Sequence, residues 1–267
     1  MASRRRHGKK GRIIIVILII LAALAVAGHF SYPYLEIYYN RYFGGNAEET
    51  LGPVQPMQKY RDRYPQYKSF GIDVSEYQKS IDWETVADKN KLDFVIIRAS
   101  AGSDHKDRKF DFNWKQLKKY NIIRGAYHYY RPNENSTEQA EQFTSSVVLD
   151  KGDIAPILDI EKYSNIQSIS SLKNGLLNWM DIVEEYYGLV PIIYTYSDFY
   201  MRVLKDDKRF DKYPVWIAHY SSEENPKKLP SGWLFWQFSE NGRLEGIETY
   251  VDIDVCSDEK KLQMHRK

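Results

Sequence analysis

Two carboxylates separated by one residue end an apolar run, Ala155-Pro156-Ile157-Leu158-Asp159-Ile160-Glu161. The run predicts a buried strand, and because side chains alternate along a strand, Asp159 and Glu161 are expected on the same face. Like charges held close together push two pKa values apart, which can supply one acid and one base at a single place. The alternative is a pair of solvated carboxylates at a strand exit or at the start of the next helix.

The elements that would position this pair follow a regular order. Strands are predicted at Phe70–Val74, Phe94–Ala99, Ile123–Tyr130, Ile154–Ile160, Pro191–Tyr194, Val215–Ala218, Trp233–Phe238 and Tyr250–Val255. Helices are predicted at Trp83–Lys89, Phe112–Tyr120, Thr137–Leu149, Ser168–Tyr187 and Ser197–Leu204, and Ser136-Thr-Glu-Gln139 fits a capping box before the third. Alternating strands and helices, with eight strands in all, predict an α/β fold, an irregular β/α (TIM-like) barrel.

Polar and aromatic side chains lie near the predicted C-terminal strand ends, where the active sites of such barrels gather. Besides Asp159 and Glu161, these are Asp73, Tyr127, His128, Tyr194, Trp236, Gln237, Asp252 and Asp254. The carboxylates predict an acidic cleft. The three aromatic residues Tyr127, Tyr194 and Trp236 could contact sugars, or they could belong to the core, where strand aromatics usually lie. His128 alternates with Tyr127 and is better explained as a core histidine, and Gln237 could face the cleft or satisfy backbone groups.

An ordered set of motifs resembles glycoside hydrolase family 25, the Chalaropsis-type lysozymes. The motifs are Gly71-Ile-Asp-Val-Ser75, Ile81-Asp-Trp83, Phe94-Val-Ile-Ile-Arg-Ala-Ser100, Gly125-Ala-Tyr-His128, Pro156-Ile-Leu-Asp-Ile-Glu161, Pro191-Ile-Ile-Tyr-Thr-Tyr196, Phe235-Trp-Gln237 and Val251-Asp-Ile-Asp254. They occur in the family's order from about Phe70 to Val255. The resemblance implies an N-acetylmuramidase that cleaves the β-1,4 bond between N-acetylmuramic acid and N-acetylglucosamine in peptidoglycan.

The same resemblance assigns roles to individual residues. It implies that Glu161 is the general acid, that Asp159 is its partner, and that Asp73 and Asp252 line the site. Two positions depart from the family pattern. Asp254 stands where the family often has Asn, and Ala101 replaces a Glu that the family usually carries.

The Asp-x-Glu spacing bears on the mechanism. A retaining enzyme with two opposed carboxylates holds them about 5–5.5 Å apart across the sugar. Two carboxylates on one strand lie on the same side, which favours substrate assistance: the 2-acetamido oxygen attacks the anomeric carbon and Asp159 orients the acetamido group. The alternatives left open are a direct Asp159 nucleophile, a non-catalytic peptidoglycan-binding protein, and a hydrolase of another acetamido-sugar polymer.

Composition narrows the possible partners. Six basic residues precede the first acidic one; removing them from the total of 38 leaves 32 basic against 36 acidic residues. The chain that follows these basic residues is slightly acidic and therefore lacks the basic face of a nucleic-acid binder. A single cysteine, Cys256, and scattered histidines show no metal-ligand pattern, so no metal and no cofactor is expected. We expect a monomer whose partner is the glycan strand of peptidoglycan.

The N-terminal part predicts membrane attachment. Residues 1–12 form a basic cytoplasmic segment, 13–34 a transmembrane signal-anchor, 35–69 a linker or stalk, and 70–267 the catalytic barrel. Basic residues before an apolar span keep the N-terminus in the cytoplasm and direct the export of the C-terminal part of the chain. The alternative is a cleaved signal peptide, since Ala25-Val26-Ala27 fits a cleavage site, which would leave a secreted enzyme.

Overall fold

A computed structural model describes residues 51–220 and 229–267, and the barrel lies within the compact unit Gly52–Lys267. Its strands are β1 Ser69–Val74, β2 Phe94–Ala101, β3 His105–Lys106, β4 Ile123–Tyr129, β5 Ile157–Asp159, β6 Ile192–Tyr196, β7 Val215–Ala218, β8 Phe235–Gly242 and β9 Val251–Cys256. All eight predicted strands are present. The hairpin strand β3, which pairs only with β2, is the addition.

Closure of the barrel depends on β1. It pairs in parallel with β2 and antiparallel with β9, so the sheet returns to its starting strand. Strand β9 also runs antiparallel to β8, whereas β2, β4, β5, β6, β7 and β8 pair with one another in parallel. Because β9 is reversed, its N-terminal end lies at the C-terminal end of the parallel strands. The predicted irregular β/α barrel is therefore confirmed.

The helices are α1 Met57–Arg63, α2 Trp83–Asn90, α3 Phe110–Lys119, α4 Ser136–Ser146, α5 Ile169–Tyr187, α6 Ser197–Phe199 with a π-helical turn Tyr200–Leu204, and α7 Glu259–Met264. Short polar side chains cap the main ones: Asp82 accepts from Thr85 N–H, and Ser168 accepts from Ser171 N–H. The predicted cap of α4 was one residue late. Asn135, not Ser136, accepts from the N–H groups of Thr137 and Glu138.

Alternation along the strands divides the core into two layers. Phe94, Ile157, Trp216 and Phe235 fill the barrel interior, while their neighbours pack outward against the helices. His128 belongs to the outer layer, as predicted. It is fully buried, its ring nitrogens contact Ser100 Oγ at 2.8 Å and Gln139 Oε1 at 3.2 Å, and its ring stacks on Trp179.

The compact unit extends to the N-terminal side of residue 70. The compact unit begins at Gly52; Met57 of α1 and Tyr64, which caps its C-terminal end, are buried against the barrel. The Tyr64 ring contacts Trp236 with centroids 5.3 Å apart. The C-terminal part of the predicted linker 35–69 is thus part of the barrel unit, because its aromatic side chains cover the outer face of β8.

The predicted transmembrane segment 13–34, like the basic segment 1–12, lies outside the described residues. Across residues 51–220 and 229–267, no helix has the length and apolar character needed to cross a bilayer.

Candidate active site

Strand β5 places Asp159 and Glu161 on one face at the barrel mouth. Leu158 and Ile160 point outward into the helix-facing layer, so the alternate residues Asp159 and Glu161 point inward. Asp159 is 4% exposed and Glu161 is half-buried. The charge of Glu161 acts on both Asp159 and Asp73, so the three carboxyls lie close to one another at the mouth.

Backbone hydrogen bonds hold this strand exit from both sides. Tyr130 N–H donates to Asp159 C=O at 2.8 Å, and Ile160 N–H donates to Tyr194 C=O at 3.0 Å. The Thr195 hydroxyl donates to Ile160 C=O at 2.5 Å. The main chain between the two carboxylates is therefore fixed by β4 and β6, which gives Glu161 a defined position just beyond the last strand residue.

Two further carboxylates face the mouth from the closing strands. Asp73 of β1 and Asp252 of β9 are direct partners in the antiparallel register, and Asp73 is buried while Asp252 is half-buried. Because β9 is reversed, its early residue Asp252 reaches the same end of the barrel as the late residue of β1. All four predicted acids thus belong to the C-terminal end of the barrel.

Gln237 is the residue that links these strands. Its Nε2 donates to Asp73 Oδ2 at 2.7 Å, while its Oε1 accepts from the hydroxyls of Tyr194 at 2.9 Å and Tyr220 at 2.7 Å. Two hydroxyl donors on the oxygen fix the direction of the amide, and so its N–H must face Asp73. The sequence alone does not decide whether Gln237 faces the cleft, and it does not identify Tyr220 as a partner of Gln237. The available signal is alternation along β8, which places the side chain of Gln237 on the inward face.

Burial and charge repulsion raise the pKa values of the acids in this cleft. Burial raises the pKa of Asp73 to about 7; its hydrogen bonds with Gln237 and Asp254 oppose the rise, and the charge of Glu161 adds to it. Burial and then the charges of Glu161 and Asp73 raise the pKa of Asp159 well above its usual range. Asp159 Oδ1 is also buried without a hydrogen-bond donor among the described residues. Acid–base catalysis requires neighbouring acids that are held in different protonation states.

Arg98 is a positive group that borders this cluster. Its Nε donates to Asp107 Oδ2 at 2.9 Å and its Nη2 lies 3.2 Å from Glu76 Oε1. Its charge lowers the pKa of Asp159 against the larger effect of burial. Arg98 lies in a recognised sequence motif, yet its role depends on Asp107 and Glu76, which come from other segments.

The aromatic predictions have different outcomes. Tyr127 is half-buried at the end of β4, in register with Arg98 on one side and Ile157 on the other. Tyr194 is 5% exposed and contacts Gln237, so it supports the site from within the barrel. Trp236 is fully buried on the outer face of β8, where its Nε1 donates to His219 C=O at 2.8 Å. The outer-face position of Trp236 does not fit the predicted sugar contact, because alternation directs its neighbour Gln237, not Trp236, toward the acids.

Substituting phenylalanine for Trp236 tests this placement. We expect the free energy of unfolding to fall by about 1–2 kcal/mol, because one hydrogen bond and part of the packing against Tyr64 are lost. The KM for peptidoglycan should stay unchanged. Denaturant unfolding together with steady-state kinetics would check both. A raised KM with unaltered stability would show instead that Trp236 contacts substrate in the cleft.

Asp73 should make the fold less stable as pH rises. Between about pH 4 and pH 7 the unfolded chain releases this proton while the folded chain keeps it, so stability present at low pH is lost through this window. Asp73→Asn removes the effect. We expect the variant to exceed wild type by about 2–4 kcal/mol in free energy of unfolding at pH 8, with no gain at pH 4. Urea unfolding at both pH values measures this; a variant less stable at both would contradict it.

Ala101 marks the second departure from the family pattern. A bulge between Arg98 and Ser100 shifts the β2–β4 register, and Ala101 then pairs with Tyr129. The side chain is buried and carries no charge, so β2 adds no carboxylate at this position. Among the described residues, no group of three or more histidine, cysteine, aspartate or glutamate side chains is arranged to hold a metal ion.

Comparison with known proteins agrees with this geometry. The family model described as glycosyl hydrolases family 25 matches residues 72–247. The Escherichia coli protein YegX is 35% identical over 206 residues, which cover 75% of this chain and 74% of that protein. Lysozyme M1 of Streptomyces globisporus is 32% identical over 220 residues, covering 78% and 71% respectively.

Solved structures show the same barrel. A family 25 glycosyl hydrolase from Bacillus anthracis superposes with a TM-score of 0.68 at 26% identity, covering 84% of this chain and all of that one. A bacterial lysozyme from Streptomyces coelicolor gives 0.65 at 30% identity, covering 74% and 96%. The resemblance stated from the ordered motifs is therefore confirmed, and the chain belongs to glycosyl hydrolase family 25 and is a glycoside hydrolase.

Proposed function

We propose that the protein is a muramidase that cleaves the β-1,4 bond between N-acetylmuramic acid and N-acetylglucosamine of peptidoglycan, with retention and with help from the substrate's acetamido group. The placement of Asp159 and Glu161 on one face of one strand exit carries the proposal. Family membership and the lysozyme names of two relatives, from Streptomyces globisporus and Streptomyces coelicolor, support the substrate class.

Glu161 would act at the glycosidic oxygen. Its proton passes to that oxygen as the bond to the anomeric carbon breaks, so the leaving sugar departs as a neutral alcohol. In the second step, water attacks the anomeric carbon and Glu161 takes the proton back. The half-buried position of Glu161 is compatible with both steps, because the side chain can reach substrate while its main chain is held.

Asp159 would act on the acetamido group. The amide oxygen of the substrate forms the new bond to the anomeric carbon, and the positive charge that develops is stabilised by the neighbouring carboxylate. Asp159 Oδ1 is a buried acceptor without a donor among the described residues, and an acetamido N–H would supply one. Two inversions at the same carbon give net retention.

Asp73 and Asp252 would complete the cleft from the side of β1 and β9. Asp73 is held by Gln237 and is suited to accept hydrogen bonds from sugar hydroxyls once ionised. Tyr127, half-buried beside Arg98 in the β2–β4 register, would contact the sugar, whereas Tyr194 would act through Gln237.

Digestion of purified peptidoglycan tests this function. The full chain and a Glu161→Gln variant are incubated with the polymer, and the fragments are analysed by mass spectrometry after borohydride reduction. We expect new reducing muramic acid ends from wild type alone. Reducing glucosamine ends would contradict the proposed bond, and binding without cleavage by either protein would favour a non-catalytic peptidoglycan-binding role.

We further propose that the catalytic barrel is exported and tethered through residues 13–34, since its substrate lies outside the membrane. The basic residues before the apolar run and the run itself support this orientation. Fractionation of cells that express the full chain should recover it with membranes. A mature chain beginning at Gly28 in the medium would instead support signal cleavage.

A further inference from the structure

Another buried carboxyl lies one inward-facing position deeper in the barrel than the Asp73–Asp252 pair. Asp254 of β9 is fully buried, one inward-facing position deeper than Asp252, and it pairs in register with Gly71 of β1 and Gln237 of β8. Its Oδ1 accepts from Trp216 Nε1 at 2.9 Å, and Gln237, its partner in register on β8, donates to Asp73, so one amide connects the two carboxyls on the inward face. Within residues 51–220 and 229–267, no nitrogen or hydroxyl donor reaches Oδ2.

Two ionised carboxylates cannot hydrogen-bond to each other, because both only accept. Because Asp254 Oδ2 is buried without a donor among the described residues, a proton on one of these two neighbouring carboxyls is needed to satisfy the pair. In a buried place, two charges this close would also repel strongly, which is the reason why paired acids in enzymes share a proton.

The surroundings decide which of the two carries the proton. Asp73 accepts the N–H of Gln237, whose amide direction is fixed by Tyr194 and Tyr220, so Asp73 is prepared to hold negative charge. Asp254 has only the indole N–H of Trp216 and no exposure to solvent. The proton is therefore more stable on Asp254.

We propose that Asp254 is a positioning residue that works as a neutral carboxylic acid: its O–H donates to Asp73 and holds that carboxylate in place, taking over the part that an Asn amide would play at this position. The assignment of the proton rests on the separate partners of the two carboxyls and on the burial of Asp254; its effect on rate rests on the proposed function.

The charged groups around Asp254 determine what the loss of its proton would do to the cleft. Asp73 faces it from β1 and Asp252 lies on its own strand, while Asp159 of β5 and Glu161 just beyond β5 belong to the same acidic cleft. Arg98 of β2 and Lys162, which follows β5, are positive groups at this rim, and titratable tyrosines of the same cleft are Tyr127, Tyr194 and Tyr220. Burial, together with the charges of Asp73 and Asp252, raises the pKa of Asp254 well above its usual range. Loss of its proton at alkaline pH would turn the donor into a repelling charge and displace Asp73.

The pH dependence of kcat/KM for peptidoglycan distinguishes an acid from a mere packing residue. Asp254→Asn keeps a donor toward Asp73 but has no proton to lose, so the alkaline decline of activity should move to higher pH. Asp254→Leu has similar volume and no donor, and we expect its kcat/KM to fall by about 10²-fold. An unshifted alkaline decline in the Asn variant, or equal losses in both variants, would overturn the positioning role.

An infrared difference spectrum tests the proton itself without relying on catalysis. At about pH 8, above the raised pKa of Asp73, wild type minus Asp254→Asn should show the carbonyl band of a protonated carboxylic acid. Glu248→Gln, which changes an exposed glutamate between β8 and β9, should leave that band in place. Absence of the band from this difference spectrum would overturn the inference even if the protein cleaves peptidoglycan. Presence of the band in a protein that fails to cleave would leave the inference standing and refute the proposed function alone.

Discussion

Replacing Glu161 by glutamine is expected to lower kcat by about 10²–10⁴-fold, the range that a positioned general acid contributes. The amide has the same size but cannot give a proton to the glycosidic oxygen, so bond cleavage is slowed while sugar binding is kept. KM should change little, because a loss confined to kcat indicates an interaction made only in the transition state. The fold should persist, since the side chain is half-buried at the barrel mouth.

The matched control for this variant is Glu240→Gln. Glu240 is exposed at the end of β8, and its charge reaches Tyr196 and Tyr220 at the same rim. Removing it changes the charge of the rim without touching the proposed proton donor. We expect near wild-type kcat from Glu240→Gln; a Glu161→Gln variant that keeps more than about a tenth of wild-type kcat would exclude the acid role.

Asp159→Asn is expected to combine a large loss of activity with unchanged or increased stability. The loss in kcat should be about 10²–10³-fold, because a neutral amide cannot stabilise the positive charge that develops on the acetamido group. Stability should not fall, since the substitution removes a buried carboxyl whose charge is opposed by burial, by Glu161 and by Asp73. Thermal unfolding at neutral pH and kinetics on peptidoglycan measure the two effects together.

Asp153→Asn provides the contrast. Asp153 is also buried, yet it receives two hydrogen bonds from Arg124, at 2.8 Å and 3.0 Å. Removing one partner of a buried ion pair costs about 3–5 kcal/mol. We therefore expect Asp153→Asn to be destabilised and Asp159→Asn not to be. A destabilised Asp159→Asn with full activity would mean that Asp159 is a structural carboxylate.

Much of the site could be predicted from sequence because it depends on local periodicity. Alternation along the run that ends at Glu161 was enough to place both carboxylates on one face. The order of strands then brought Asp73 and Asp252 to the same end of the barrel. These steps require only the strand period and the rule that functional residues gather at one end of a β/α barrel.

The remaining features depend on partners that are distant in sequence. Trp236 and Gln237 are adjacent, so a choice between them needed the register of β8 against β7 and β9, which a single sequence does not specify. Helix α1 was missed because its segment is mostly polar, with Met57 as its one buried residue. The role of Asp254 became visible only when its partners, Trp216 and Asp73, were placed by β7 and β1.

The anomeric configuration of the first product tests the mechanism most directly. Proton nuclear magnetic resonance during the first minutes of hydrolysis of a soluble peptidoglycan oligosaccharide resolves the two anomers of the new muramic acid end before they interconvert. Attack by the acetamido oxygen from the side of Asp159, followed by attack of water, predicts that the β-anomer accumulates first. Initial accumulation of the α-anomer would show a single displacement and would contradict the roles assigned to Asp159 and Glu161.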